Sequence, residues 1–185
     1  KLSVNRLDDR VELRHDDILI ATAKNAVLDI AVPDCPSLED IAGSTDRYPS
    51  VDEHVLASCF VCGPARKPGD GLNIFPIAIN DRDCVASIWQ PAENMAKQDG
   101  LIASEILWAA LDCPGYFAHR ATDTLMLLGS MTGSIKRRPK VSEQLISIGW
   151  HIRQEGRKYF SGTALYDQQQ RVCAASSQVW IELKR

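Results

Sequence analysis

After its opening Asp99, the run DGLIASEILWAALDCPG, residues 99–115, carries two carboxylates on an otherwise apolar stretch. The acids are Glu105 and Asp112, seven residues apart. That is about two helical turns, so both project from one helix face. Ile102, Ile106, Leu107, Trp108, Ala109, Ala110 and Leu111 leave the run no solvated face, the pattern of a buried helix. Acids are almost never fully buried unless paired or used. Asp112 suits a general base that activates water, or a nucleophile, because burial raises a carboxylate's pKa and makes it more basic. It equally suits a structural role, bonding backbone or water where Pro114 kinks the helix. Glu105 lies in the first turn, where the helix dipole alone accounts for an acid. Its second reading is as the catalytic carboxylate itself, or as a partner to Asp112.

Other residues carry weaker signals. Asp99-Gly100 precedes the helix, and Gly100 would let a reacting group approach its backbone. Free N–H groups at a helix N-terminus can hold an oxyanion, although a turn glycine is a sufficient account. Arg137-Arg138-Pro139-Lys140 is the basic cluster of the chain. Its arginine forks suit phosphates, and a solvated turn is the commoner use of such a run. CFVCG, residues 59–63, looks like half a zinc knuckle. A structural zinc needs four ligands, commonly from a second cysteine pair. Cys84, Cys113 and His54 are scattered singles, so no metal and no other cofactor is assigned.

The elements that must position these residues follow from pattern. Leu2–Arg6 and a hairpin around His15-Asp16-Asp17 read as strands, with a further strand over Ala26–Val32. Ser37-Leu38-Glu39-Asp40 matches a capping box, so a short helix should start there and stop at Gly43. The polar segment Ser44–Glu53 reads as a linker. Strands are expected over Leu72–Ile79 and Cys84–Trp89, then the central helix over about 103–119 with a break at Pro114. A polar break leads to strands over Leu125–Ile135, one containing Ile146, Ile148, Trp150 and Ile152, Lys158–Tyr166 and Val172–Leu183. Strands do not alternate with helices, so the class is α+β, an antiparallel sheet wrapped on one long helix.

Composition bounds the function. The chain has 185 residues, 45% hydrophobic and 24% charged, with net charge −3. No basic run is interleaved with aromatics, which argues against nucleic acid. No apolar stretch reaches membrane-spanning length and no signal peptide is visible, so no membrane partner is expected. The six cysteines lack the density of a secreted disulfide scaffold and imply a reduced, cytoplasmic setting.

Three pieces resemble the hotdog-fold thioesterase superfamily over roughly residues 57–185: CFVCGP followed by GDGL, the helix with Leu111-Asp112, and the ending GRKYFSGTALYDQQQRVCAASSQVWI. The family's His-Gly-Gly pattern is replaced by Gln98-Asp99-Gly100, so Asp112 is aligned by helix position. The resemblance implies a hotdog domain over 51–185, preceded by an N-terminal strand extension and linker over 1–50, either an edge cover or the remnant of a second hotdog unit. It implies a homodimer that hydrolyses acyl-CoA or a related thioester. Asp112, Glu105 and Gly100 are then the catalytic candidates, with Gly100 serving the oxyanion. Asp99, Trp108, Arg137, Arg138 and Lys140 are the substrate-binding candidates. The rival is a non-catalytic acyl-CoA binder. A hydratase on the same fold would use an Asp and His pair that is not found.

Overall fold

The computed structural model describes residues 1–119 and 124–184. The polar break expected after the helix falls largely outside them.

An antiparallel sheet of six strands organises the body, in the order β4-β5-β7-β8-β9-β6. These are β4 Ile77–Ala78, β5 Val85–Trp89, β6 Met126–Ile135, β7 Leu145–Glu155, β8 Lys158–Tyr166 and β9 Val172–Glu182. Gly156, at φ 57°, turns β7 into β8, and Gln170, at φ 58°, helps turn β8 into β9. These left-handed conformations suit tight hairpins. The Leu72–Ile79 strand shrinks to β4. Upstream of it Leu72 and Ile74 are buried, but their N–H groups bond Phe60 and Val61 carbonyls of a turn rather than a strand.

The two faces of the sheet are covered by different parts of the chain. Ile146, Ile148 and Trp150 of β7 pack with Cys35, Ile41, Leu28, Ile30 and Val32. The opposite face of the same strand presents Ser147 and Gly149, and here the central helix lands. A Cβ on Gly149 would fall 2.0 Å from the Pro114 carbonyl oxygen, so only glycine permits this approach. The half-buried strand expected from alternation is therefore buried on both faces over Leu145–Trp150. Small residues were needed under the helix, and they read as a polar face.

The central helix is two pieces, α2 Ser104–Ala110 and α3 Asp112–Phe117, of seven and six residues with Leu111 between them. Pro114 sits in the first turn of α3, where its missing N–H costs little, and the chain tightens just before it. One face of α2 is open, contrary to the expectation of a helix buried all round. Trp108 is 40% exposed and Glu105 is exposed, because the sheet covers only one side. Among the described residues no helix is long and apolar enough to cross a membrane.

Before the body, β1 Leu2–Arg6, β2 Val11–His15 and β3 Ile18–Ala23 form a separate antiparallel sheet. Residues 26–32 form no strand. Leu28, Ile30 and Val32 nevertheless pack on the large sheet. The capping box holds as read: α1 spans Leu38–Ala42, with Ser37 and Asp40 bonding each other's backbone N–H and Gly43 at the C-cap. The polar stretch after it is pinned rather than free. Asp46 accepts the Ala78 N–H at 2.8 Å, and the Tyr48 hydroxyl donates to the Cys62 carbonyl at 2.7 Å.

Candidate functional site

The break between α2 and α3 leaves a buried carbonyl at Leu111. It is met from the sheet by Gln178, whose Nε2 donates to Leu111 O. Gln178 is fully buried and its Oε1 accepts the Trp180 indole N–H at 2.8 Å. Ser161, Thr163 and Ser176 surround it and share its bonds. A Cβ on Gly115 would strike the Gln178 amide, so this glycine seats α3 on the network. The structural task at the kink is thus done by Gln178.

Asp112 is left without that task. Its Oδ1 is buried and has no hydrogen-bond partner among the described residues. Burial first, and the Cys59 charge second, push its carboxyl up to about 6. It lines a cavity of about 170 Å³ whose walls include Leu125, Met126, Leu128, Phe117 and Trp180. An unpaired acid against apolar walls is unfavourable unless a ligand or reaction uses it.

Beside Asp112 stand three thiols. Cys59, Cys62 and Cys113 have all their sulfur atoms within 4.8 Å of one another, and Cys59 and Cys113 are 3.6 Å apart. Cys113, read from sequence as a single cysteine, is the third member of the CFVC pair, because α3 begins over that turn. S–H donation from Cys113 and Cys62 holds Cys59 far below the ordinary thiol range. Burial opposes this, and the N–H groups of Cys62 and Val61 add to it. Cys113 draws Cys62 down, but Cys59 and burial push it up to about 12. His54 is already engaged. Its Nδ1 accepts the Leu56 N–H at 3.0 Å and its Nε2 lies 2.9 Å from the Tyr48 hydroxyl, whose own proton goes to Cys62 O. Burial lowers the His54 pKa, so the ring is neutral and Nε2 carries the proton.

The remaining sequence-selected residues lie elsewhere. Glu105 is exposed and paired with Lys97 at 3.1 Å, outside the cavity. Gly100 has φ 73°, a turn conformation, and its N–H is taken by the Lys97 carbonyl at 2.9 Å. The next three N–H groups go to Asp99 Oδ1, Pro139 O and Met95 O. The expected oxyanion donor before the helix is therefore occupied. Asp99 forms a fork with Arg138 at 2.7 and 3.2 Å, and Arg138 also bonds the Ile102 and Leu101 carbonyls. Arg137 bonds Glu143 and the fully buried Asp167. Both arginines of the basic cluster thus tie the loop to the body. Lys140 is exposed, its backbone N–H on Glu143. The outer ring edge of Trp108 packs over Gly133 of β6, and the residue is still 40% exposed.

An antiparallel sheet laid on one central helix, with a partly buried acid halfway along it, defines a hotdog fold. Solved structures bear this out. The E. coli PaaI protein from the phenylacetic acid degradation operon matches at TM-score 0.55 and 14% identity, covering 61% of this chain and 81% of its own. A putative thioesterase, phenylacetic acid degradation-related protein from Ralstonia eutropha, matches at TM-score 0.54 and 16% identity, covering 64% and 93%. The Streptococcus mutans protein smu.793, bound to acetyl CoA, matches at TM-score 0.55 and 9% identity, covering 61% and 90%. At these identities the likeness is one of fold. No family model and no curated protein matches the sequence.

Proposed function

We propose that the protein hydrolyses acyl-CoA or a related thioester, with Asp112 as the general base. One observation carries this reading: Asp112 keeps a buried, unpaired oxygen on an apolar cavity while Gln178 holds the helix break beside it. In the proposed step the carboxylate accepts a proton as water attacks the thioester carbonyl carbon. The tetrahedral adduct then collapses, breaking the carbon–sulfur bond and releasing carboxylic acid and thiol. A thiolate leaves readily, so little help is needed at that end. The bound acetyl CoA in the Streptococcus mutans neighbour supports a coenzyme A thioester as the class of ligand.

The cavity, about 170 Å³, is smaller than a pocket that encloses a whole drug-sized ligand. It suits a short acyl group, the rest of the substrate lying outside. A homodimer is part of the proposal. Trp108 on α2 and Leu127 on β6, 40% and 50% exposed, are the apolar residues a second copy would cover. A stable monomer at micromolar concentration in sedimentation would count against that part.

The rival, a non-catalytic acyl-CoA binder, draws on a different observation: the Gly100 N–H is already bonded, so no oxyanion donor stands free there. A hydrolysis and binding screen with acyl-CoAs of graded chain length separates the two. Turnover selects the hydrolase, and saturable binding without turnover selects the binder.

A further inference from the structure

We propose that Cys59, Cys62 and Cys113 bind one zinc ion as thiolates, with the fourth position turned toward the cavity on the side of Asp112. This goes beyond the hydrolase reading and does not rest on it.

The size of the triangle is the first reason. Thiolates about 2.3 Å from a tetrahedral zinc lie roughly 3.8 Å from one another. The three sulfurs here lie within 4.8 Å of one another, with Cys59 and Cys113 at 3.6 Å. Small movements close them onto a metal. A disulfide would join two of them and strand the third.

The turn that carries the pair is shaped for the task. Gly63 donates its N–H to Cys59 O at 3.0 Å, and a Cβ there would lie 2.4–2.6 Å from backbone atoms of Ala57 and Cys59. Only glycine lets the chain fold back this tightly. Tyr48 fixes the same turn through Cys62 O. The third sulfur arrives from a separate element, the first turn of α3. Two independently anchored pieces therefore converge their thiols on one point, which apolar packing of single cysteines does not require.

The fourth position is the second reason. The unpaired Oδ1 of Asp112 lines the same cavity as the three cysteines. The Asp112 carboxylate is not among the atoms that cluster within 4.8 Å of one another, so it would act on the ion through a water held in the fourth position. His54 lies near, but both its nitrogens are engaged. A set of three sulfurs with one oxygen selects a thiophilic ion that accepts tetrahedral geometry, and zinc needs no redox partner. Binding releases the protons of the coordinating thiols to solvent.

The test is metal content. Protein made in zinc-supplemented medium should carry about one zinc per chain, the stoichiometry of a single tetrahedral site. Reduced apo-protein should take up one equivalent of Co²⁺ and gain sulfur-to-cobalt charge-transfer absorption. Cys59→Ser and Cys113→Ser should lower bound zinc at least about tenfold, the scale on which metal sites respond to altered ligation. Cys173→Ala, outside the cluster, should retain it. Asp112→Asn should keep the charge-transfer absorption and shift the visible cobalt bands. Unshifted bands overturn the fourth position. If the serine variants do not fold, the unaltered protein still decides: an organomercurial titration should release one zinc as three thiols react. Zinc-free protein from supplemented medium, with no cobalt absorption after full reduction, overturns the proposal. So does a Cys59–Cys62 disulfide whose reduction restores no metal binding. Failure of the acyl-CoA screen leaves the metal result unaffected, so the two readings fail separately.

Discussion

Replacing Gln178 by Met removes a polar node while nearly conserving side-chain volume. Two buried groups lose their partners. The Leu111 carbonyl loses the Nε2 donor and the Trp180 indole N–H loses its Oε1 acceptor. Leu111 is 1% and Trp180 5% exposed, so water cannot readily replace either partner. An unsatisfied buried polar group costs ~1–3 kcal/mol, so the pair should cost ~2–6 kcal/mol in all. The surrounding hydroxyls of Ser161, Thr163 and Ser176 can re-pair among themselves, which keeps the sum from rising further. Asp112→Asn is the companion. It removes a carboxylate that has an unpaired buried oxygen, so stability should fall by no more than ~1 kcal/mol and can rise. Urea unfolding reads both as changes in midpoint at constant slope. A loss below ~1 kcal/mol in Gln178→Met together with one above ~2 kcal/mol in Asp112→Asn would refute the reasoning. Asp112 would then be the residue that holds the break.

Two further outcomes follow from buried charges. His119 is pushed down to about 4 by burial and by the facing His151, whose Nδ1 is 2.9 Å away, with the Tyr159 ring beside it. The folded state therefore keeps this imidazole neutral while the unfolded chain takes up its proton below about 6.5. Stability from this group is fully present above that pH and declines as pH falls toward about 4. His119→Phe should flatten the fall in urea midpoint between those values, and an unchanged slope would contradict the assignment. Arg137→Gln should destabilise by ~1–3 kcal/mol, because it removes a charged hydrogen bond from the fully buried Asp167 and leaves Arg171 as its remaining cationic partner. Thermal unfolding checks this, and a loss of coenzyme A affinity without loss of stability would return Arg137 to the phosphate-binding role.

Much of the fold was legible because its signals are local. The span Lys158–Tyr166 and the α1 capping box are set by neighbours within a few residues, and both stand as read. The alternation in β7 marked a strand but could not say what covers each face. Period 2 tells which side chains share a face, while the covering element is chosen by packing. Here the apolar side meets the segment carrying Ile30 and Cys35, and the small polar side meets α3. Trp108 was misread for the same reason, since an apolar helix face does not reveal whether the chain itself supplies its cover. At the site, Asp112 was legible as an acid on an apolar helix. Its thiol neighbours were not. Cys59 and Cys113 are 54 residues apart in sequence, and only the landing of α3 joins them. A third cysteine adjoining the selected acid was the one available hint. Gln178 left no trace in sequence, because a glutamine on a strand ordinarily faces solvent.

The central claim rests on the Asp112 carboxylate and is tested most directly by turnover. Steady-state hydrolysis of the acyl-CoA that the wild-type protein cleaves best should be measured for Asp112→Asn, with Glu105→Gln as control. Glu105 is exposed and paired with Lys97 outside the cavity, so its variant should retain wild-type rates. Asp112→Asn, folded as judged by its urea midpoint, should lose kcat by ~100-fold or more, the scale of removing a positioned base. Full activity in Asp112→Asn would contradict the account.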